Sequence, residues 1–82
     1  MTYKILFSTN AKKQLVKLEK ETSKNVLKKL YSIKHNPFPH LKKLKGSKFF
    51  RLRVQNLRVI IEVIVVEKKL FVLRIGKRSN VY

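Results

Sequence analysis

The chain has no cysteine and no tryptophan, two glycines, two prolines and four acidic residues. Each shortage excludes something. Without cysteine there is no disulfide and no thiolate metal site, so packing alone must hold the fold. The carboxylates, Glu19, Glu21, Glu62 and Glu67, are too scarce for a two-metal nuclease or a glycosidase pair. His35 and His40 flank a proline loop and read as solvated side chains. Nothing places them at metal-ligand spacing. There is no Walker A loop, no G-x-G-x-x-G turn and no serine in a nucleophile elbow. No cofactor and no metal is therefore expected. No segment approaches the ~20 apolar residues of a membrane span. The stretch from Met1 to Phe7 is too short for a signal peptide and lacks a cleavage site. A cytoplasmic location without a membrane partner is the expectation.

What the chain does have is cationic charge. Lysine and arginine number 21 among 82 residues, which leaves a net charge of +17. Such a surface repels itself and attracts polyanions. Nucleic acid, an anionic membrane or an acidic protein would each satisfy it. The length fits one domain over residues 1–82, near the lower limit for folding without staples. A chain this small has little room for a deep pocket, so an active site is expected on the surface.

The hydrophobic period changes along the chain and gives the architecture. Residues 3–7 form a short apolar strand, followed by Ser8-Thr9-Asn10, which is helix N-cap chemistry. Ala11, Leu15 and Leu18 then fall at helical spacing. Thr22-Ser23 interrupts, and either residue is placed to cap a second helix, whose inner face is Val26, Leu27, Leu30 and Ile33. Asn36-Pro37-Phe38-Pro39 ends that helix. In residues 49–54, Phe49, Arg51 and Arg53 alternate with Phe50, Leu52 and Val54, the period of a strand with two faces. Gln55-Asn56 fits a tight turn, with Asn tolerating positive φ. A long strand over 57–66, a turn at Glu67-Lys68-Lys69 and a last strand over 70–75 follow, and Gly76 releases the chain into a basic tail. The expected fold is α+β, in the order β-α-α-β-β-β. A helical hairpin covers one face of a small, mainly antiparallel sheet. The other face is left open, lined by Arg51, Arg53 and Arg58.

An open face of arginines suits RNA cleavage without metal. RNA brings its own nucleophile, the 2′-OH. The protein need only align it, move protons and stabilise charge added at phosphorus, and guanidinium forks match phosphoryl oxygens. Two pieces of sequence carry such groups: Arg51-Leu52-Arg53-Val54-Gln55-Asn56-Leu57-Arg58, and Gly76-Lys77-Arg78-Ser79-Asn80-Val81-Tyr82. With Leu44-Lys45-Gly46, Val59-Ile60-Ile61 and Val72-Leu73-Arg74-Ile75 between and before them, these pieces resemble the RelE/ParE toxin superfamily. The order and spacing match over essentially the whole chain.

The resemblance implies a RelE-like fold and a toxin of a type II toxin-antitoxin system. It implies a ribosome-dependent endoribonuclease that cuts messenger RNA in the A site, leaving a 2′,3′-cyclic phosphate and a 5′-hydroxyl. By position, Arg51 and Arg53 fall where RelE toxins use basic strand residues near the scissile phosphate. Arg58 falls at the phosphate-stabilising arginine and Arg78 at the one that assists the leaving group. Tyr82 falls at the C-terminal tyrosine that orients the base at the cut. Lys45, Lys48 and Lys77 are expected to bind substrate. RelE toxins often carry lysine where Arg51 and Arg53 stand. Arginine stays protonated, so the general base is left open among Tyr82, Lys48 and Lys77. The implied partners are the ribosome with its mRNA and an acidic, RelB-like antitoxin. Two other functions fit the same sequence: a ParE-like toxin that inhibits DNA gyrase by protein contact, and a non-catalytic RNA-binding protein.

Overall fold

The computed structural model describes residues 2–77. Strand β1 (Lys4–Phe7) leads into helices α1 (Thr9–Lys17) and α2 (Lys20–Ile33). A short 3-10 turn (Phe38–His40) precedes strands β2 (Lys42–Lys43), β3 (Phe49–Val54), β4 (Leu57–Ile64) and β5 (Lys69–Lys77). The strands form one sheet in the order β1-β5-β4-β3-β2. β1 runs parallel to β5 and every other pair is antiparallel. The expected order of elements and mainly antiparallel sheet are both present, with a 3-10 turn and a two-residue edge strand added. No helix among the described residues is long and apolar enough to cross a membrane.

The core lies between the helices and one sheet face. Ala11, Val26, Leu30 and Ile33 from the helices meet Leu52, Val59, Ile61, Leu70 and Val72 from the sheet, all buried. The alternation in β3 is as expected. Leu52 pairs with Val59 and Val54 with Leu57 on the helix side. Arg51, Arg53 and Arg58 share the opposite side.

Several boundaries and one turn residue differ from expectation. Thr22 and Ser23 do not cap α2 but lie inside it, and the N-cap is Glu19, which makes no side-chain cap bond. The break between the helices sits earlier, where Leu18 turns extended at φ −73° and ψ 155°. Leu18 packs against the core, and that burial fixes the break better than the polar pair does. β4 stops at Ile64, not at residue 66, because Val65 and Val66 lie exposed in the turn. Gly76 does not release the chain; β5 continues through it to Lys77, which pairs with Leu57. At the 55–56 turn the left-handed residue is Gln55, at φ 55°, and not Asn56.

α1 and β5 are joined by polar bonds where β1 runs out. Beyond Phe7, the outer edge of β5 would expose its backbone groups. Ser8 supplies them instead: its N–H donates to the Val72 carbonyl at 2.9 Å and its hydroxyl to the Leu73 carbonyl at 2.8 Å. The same hydroxyl accepts from the Ala11 N–H at 3.0 Å, capping α1 as expected. One turn on, the Gln14 side-chain oxygen accepts from the Ile75 N–H at 2.6 Å. Opposite this stretch, the β4–β5 register slips: Ile60 pairs with Arg74, but Ile61 pairs with Val72. Leu73 is therefore the extra residue of a β-bulge.

Two consequences are measurable. Gln14→Ala leaves the part-buried Ile75 N–H without its partner and is expected to cost about 1–3 kcal/mol, read from urea unfolding. Gln55→Gly removes a side chain from a left-handed position. It is expected to raise the urea midpoint by the equivalent of about 0.5–1 kcal/mol, the left-handed penalty less the added chain entropy.

Candidate functional site

The uncovered sheet face is organised in rows across the strands. Arg53 on β3 stands opposite Arg58 on β4, and Gly76 on β5 follows in the same row. The next row is Arg51, Ile60 and Arg74. The third begins with Phe49 and Glu62. Same-face rows lie two residues apart, about 6.8 Å along the strand. Residues directly opposite have Cα atoms about 4.5–5.5 Å apart. Four guanidinium groups thus come from a patch two rows deep and three strands wide. Gly76, opposite Arg58, adds no side chain to that row.

Like charges facing each other across a ladder destabilise it. Two unit charges 5 Å apart repel by about 1 kcal/mol even in a water-like dielectric. The two carboxylates of the β-sheet half are both engaged by lysines. Glu62 forms an ion pair with Lys48 at 3.7 Å, and Glu67 one with Lys69 at 2.7 Å. Arg51 and Arg58 are half-buried, and Arg53 and Arg74 exposed. Keeping the arginines together costs stability, and a bound polyanion recovers it.

Lys48 and Lys45 sit on the 44–48 loop that crosses the edge of this face. Lys48 lies over the Phe49 ring, 5.7 Å from its centre, and bonds Glu62. It therefore belongs to the third row, apart from the row of Arg53 and Arg58. Lys45 lines a pocket of about 350 Å³ with Phe49, Ile60, Leu73 and Arg74. Lys77 is exposed at the end of β5, opposite Leu57. Arg53 also borders a broad depression of about 560 Å³ with Lys28 and Lys29 of α2, so positive surface continues around the hairpin onto the helix. Arg78 and Tyr82 lie outside the described residues.

Arg74 is the residue sequence reading missed. Strict alternation from Leu70 and Val72 would point residue 74 into the core. The signal was present: the inward residues run Leu70, Val72, Ile75, a spacing of two and then three. That slip is the mark of a bulge, and it turns Arg74 to the arginine face.

A sequence model of the ParE toxins of type II toxin-antitoxin systems (parDE) matches residues 5–82. The chain belongs to this family, within the ParE/RelE superfamily. It is a type II toxin-antitoxin toxin. No curated protein sequence matches it significantly. Among solved structures it is similar to the isolated RelE toxin of E. coli, at 28% identity and TM-score 0.81, over 98% of this chain and 90% of that one. A chain of the archaeal RelE–RelB complex from Pyrococcus horikoshii is 25% identical, with TM-score 0.83 over 98% and 99% of the two chains. One of the RelBE2 toxin-antitoxin complex from Mycobacterium tuberculosis shares the fold at TM-score 0.88 and 21% identity, over 95% and 100%. The RelE-like fold expected from the sequence is the observed one.

Arginine removal tests the patch directly. Single-stranded RNA binding is expected to lose about 0.7 from its log–log salt slope for each of Arg51, Arg53 and Arg74 replaced by alanine. Filter binding across a salt series reads it. An unchanged slope places the RNA elsewhere.

Proposed function

We propose that the protein is a ribosome-dependent endoribonuclease that cuts messenger RNA by attack of the 2′-OH on the adjacent phosphorus. The observation that carries the reading is the row of Arg53 and Arg58 beside Arg51, on the sheet face opposite the helices. The 2′-oxygen forms its bond to phosphorus as the bond to the 5′-oxygen breaks. The products are a 2′,3′-cyclic phosphate and a 5′-hydroxyl. Negative charge gathers on the phosphoryl oxygens, and guanidinium groups held on strands meet it without reorganisation. Arg58 is the central one. β4 is the middle strand of the five and pairs along its length with β3 and β5.

Two protons must move: one leaves the 2′-OH and one reaches the 5′-oxygen. The described arginines remain protonated and serve as electrostatic partners only. Arg78 is assigned to the leaving group and Tyr82 to the base at the cut, both by resemblance. Of the three candidates for general base, Lys48 is turned to Glu62 and Phe49, which favours a substrate-binding role for it. Lys77 and Tyr82 remain the candidates, and Lys77 ends the strand that carries Gly76 beside Arg58. Lys45 and Lys48 are assigned to the RNA backbone entering over the 44–48 loop.

The partner is an acidic, RelB-like antitoxin. RelE toxins are found in complexes with RelB antitoxins. For this chain the charge of +17 supports the same arrangement. An acidic segment laid on the arginine face neutralises it and excludes RNA.

The matching family model is that of ParE toxins, and this favours one second reading, inhibition of DNA gyrase by protein contact. Arg58, Arg78 and Tyr82 stand against it, since the ParE branch generally lacks that set. Primer extension on a message in a reconstituted translation system separates the two. Wild-type protein is expected to give discrete A-site cuts only when ribosomes are present, and Arg58→Ala to weaken them by about 10²-fold or more. Absence of cuts with folded protein, together with inhibition of gyrase supercoiling, would establish the second reading.

A further inference from the structure

The pocket beside the arginine rows has a chemistry distinct from theirs. Its sheet side is Phe49, Ile60 and Leu73, and its loop side is Leu44, Lys45 and Ser47, with Arg74 at the end of the row; the Ser47 hydroxyl oxygen accepts from the Phe49 N–H. Its volume of about 350 Å³ lies at the small end of ligand sites. The lining is mainly apolar, with two cations and no carboxylate. Ile60 is 5% exposed although it lies on the uncovered sheet face.

The pocket depends on the bulge. Leu73 and Arg74 are consecutive, yet both line it. In a regular strand consecutive side chains point to opposite faces. The extra residue at Leu73 brings both to one side, and Ser8 and Gln14 fix the backbone around them. Lys48 lies over the Phe49 ring and pairs with Glu62 at the pocket's edge. The chain thus spends a bulge, two side-chain hydrogen bonds and a cation–ring contact on shaping this cavity.

From this we infer that the pocket receives one nucleobase of the messenger, next to the cut, and sets which base is preferred there. The inference rests on the ribonuclease reading for its location in the substrate. Ile60 stands between Arg51 and Arg74 in one row, and Arg53 and Arg58 form the next. The row spacing, about 6.8 Å, is close to the distance from a nucleotide's phosphorus to the middle of its base. A phosphate on Arg58 and Arg53 therefore puts a neighbouring base over Ile60 and Leu73, against Phe49. Apolar and aromatic walls accept the flat faces of any base. Arg74 and Lys45 donate hydrogen bonds only, and the Ser47 oxygen already accepts from the Phe49 N–H, so the lining favours a base that presents acceptors on its outer edge, such as the O6 and N7 of guanine.

Two measurements test it. In the first, methyl NMR spectra of the protein are followed as each of the four ribonucleoside 3′-monophosphates, and separately inorganic phosphate, is added. The nucleotides are expected to shift the Ile60, Leu73 and Leu44 methyls, guanosine monophosphate most, and phosphate to leave them in place. Equal shifts with phosphate alone, or none with any nucleotide, would overturn the pocket as a base site. In the second, cleavage sites are mapped across a message for wild type and Arg74→Met. The ratio of use between sites with guanine and with other bases beside the cut is expected to fall by about fivefold or more, within the range of one base contact. A uniform loss at all sites would assign the pocket to a ribosomal base and overturn the messenger assignment. An unchanged ratio overturns it as well. If wild type cuts nothing yet nucleotides still shift the methyls, the base site stands and the ribonuclease reading fails. If wild type cuts but neither effect appears, the reverse holds.

Discussion

Ser8 is the point at which three parts of this small protein are tied together. Its hydroxyl caps α1 and holds the Leu73 carbonyl, and its own N–H takes the Val72 carbonyl. β1 is only four residues long, so without these bonds the second half of β5 would have an unpaired outer edge. Gln14 completes the work at Ile75. The helix thus stands in for a missing stretch of strand. That substitution permits an irregular β5, and the irregularity turns Arg74 to the open face. The fold and the surface chemistry therefore share one set of hydrogen bonds.

The site is built against the grain of stability. A chain of 82 residues has limited surface to bury, yet it gathers Arg51, Arg53, Arg58 and Arg74 on one face while Glu62 and Glu67 pair with lysines. The helices cover only one side of the sheet, and the core is complete on that side. The second side is free to carry charge because nothing apolar there has to be covered by the fold, apart from Ile60 and its neighbours beneath the 44–48 loop.

Much of this was legible in the sequence because two periods are plain in it. The strand alternation of residues 49–54 separated the arginines from the core, and the register of β3 with β4 agrees with it. The N-cap at Ser8 was readable from local chemistry. The parts that were not legible depend on partners far away in sequence. Thr22-Ser23 had the right residues for a cap, but the break followed the burial of Leu18 instead. Asn56 is the better left-handed residue by propensity, but strand register placed that conformation on Gln55. The bulge left a trace in the spacing of Leu70, Val72 and Ile75, and only the neighbouring strand decides which residue it turns outward. Arg78 and Tyr82 rest on resemblance alone.

β2 consists of two exposed lysines at the outer edge of the sheet. A free strand edge offers unpaired backbone groups to any other chain, including another copy of the same protein. Here that edge is too short to hold a partner strand in register, and both its side chains repel a second copy. A toxin released from an antitoxin would pass through an interval with no cover. A brief, doubly cationic edge works against strand-to-strand association during that interval.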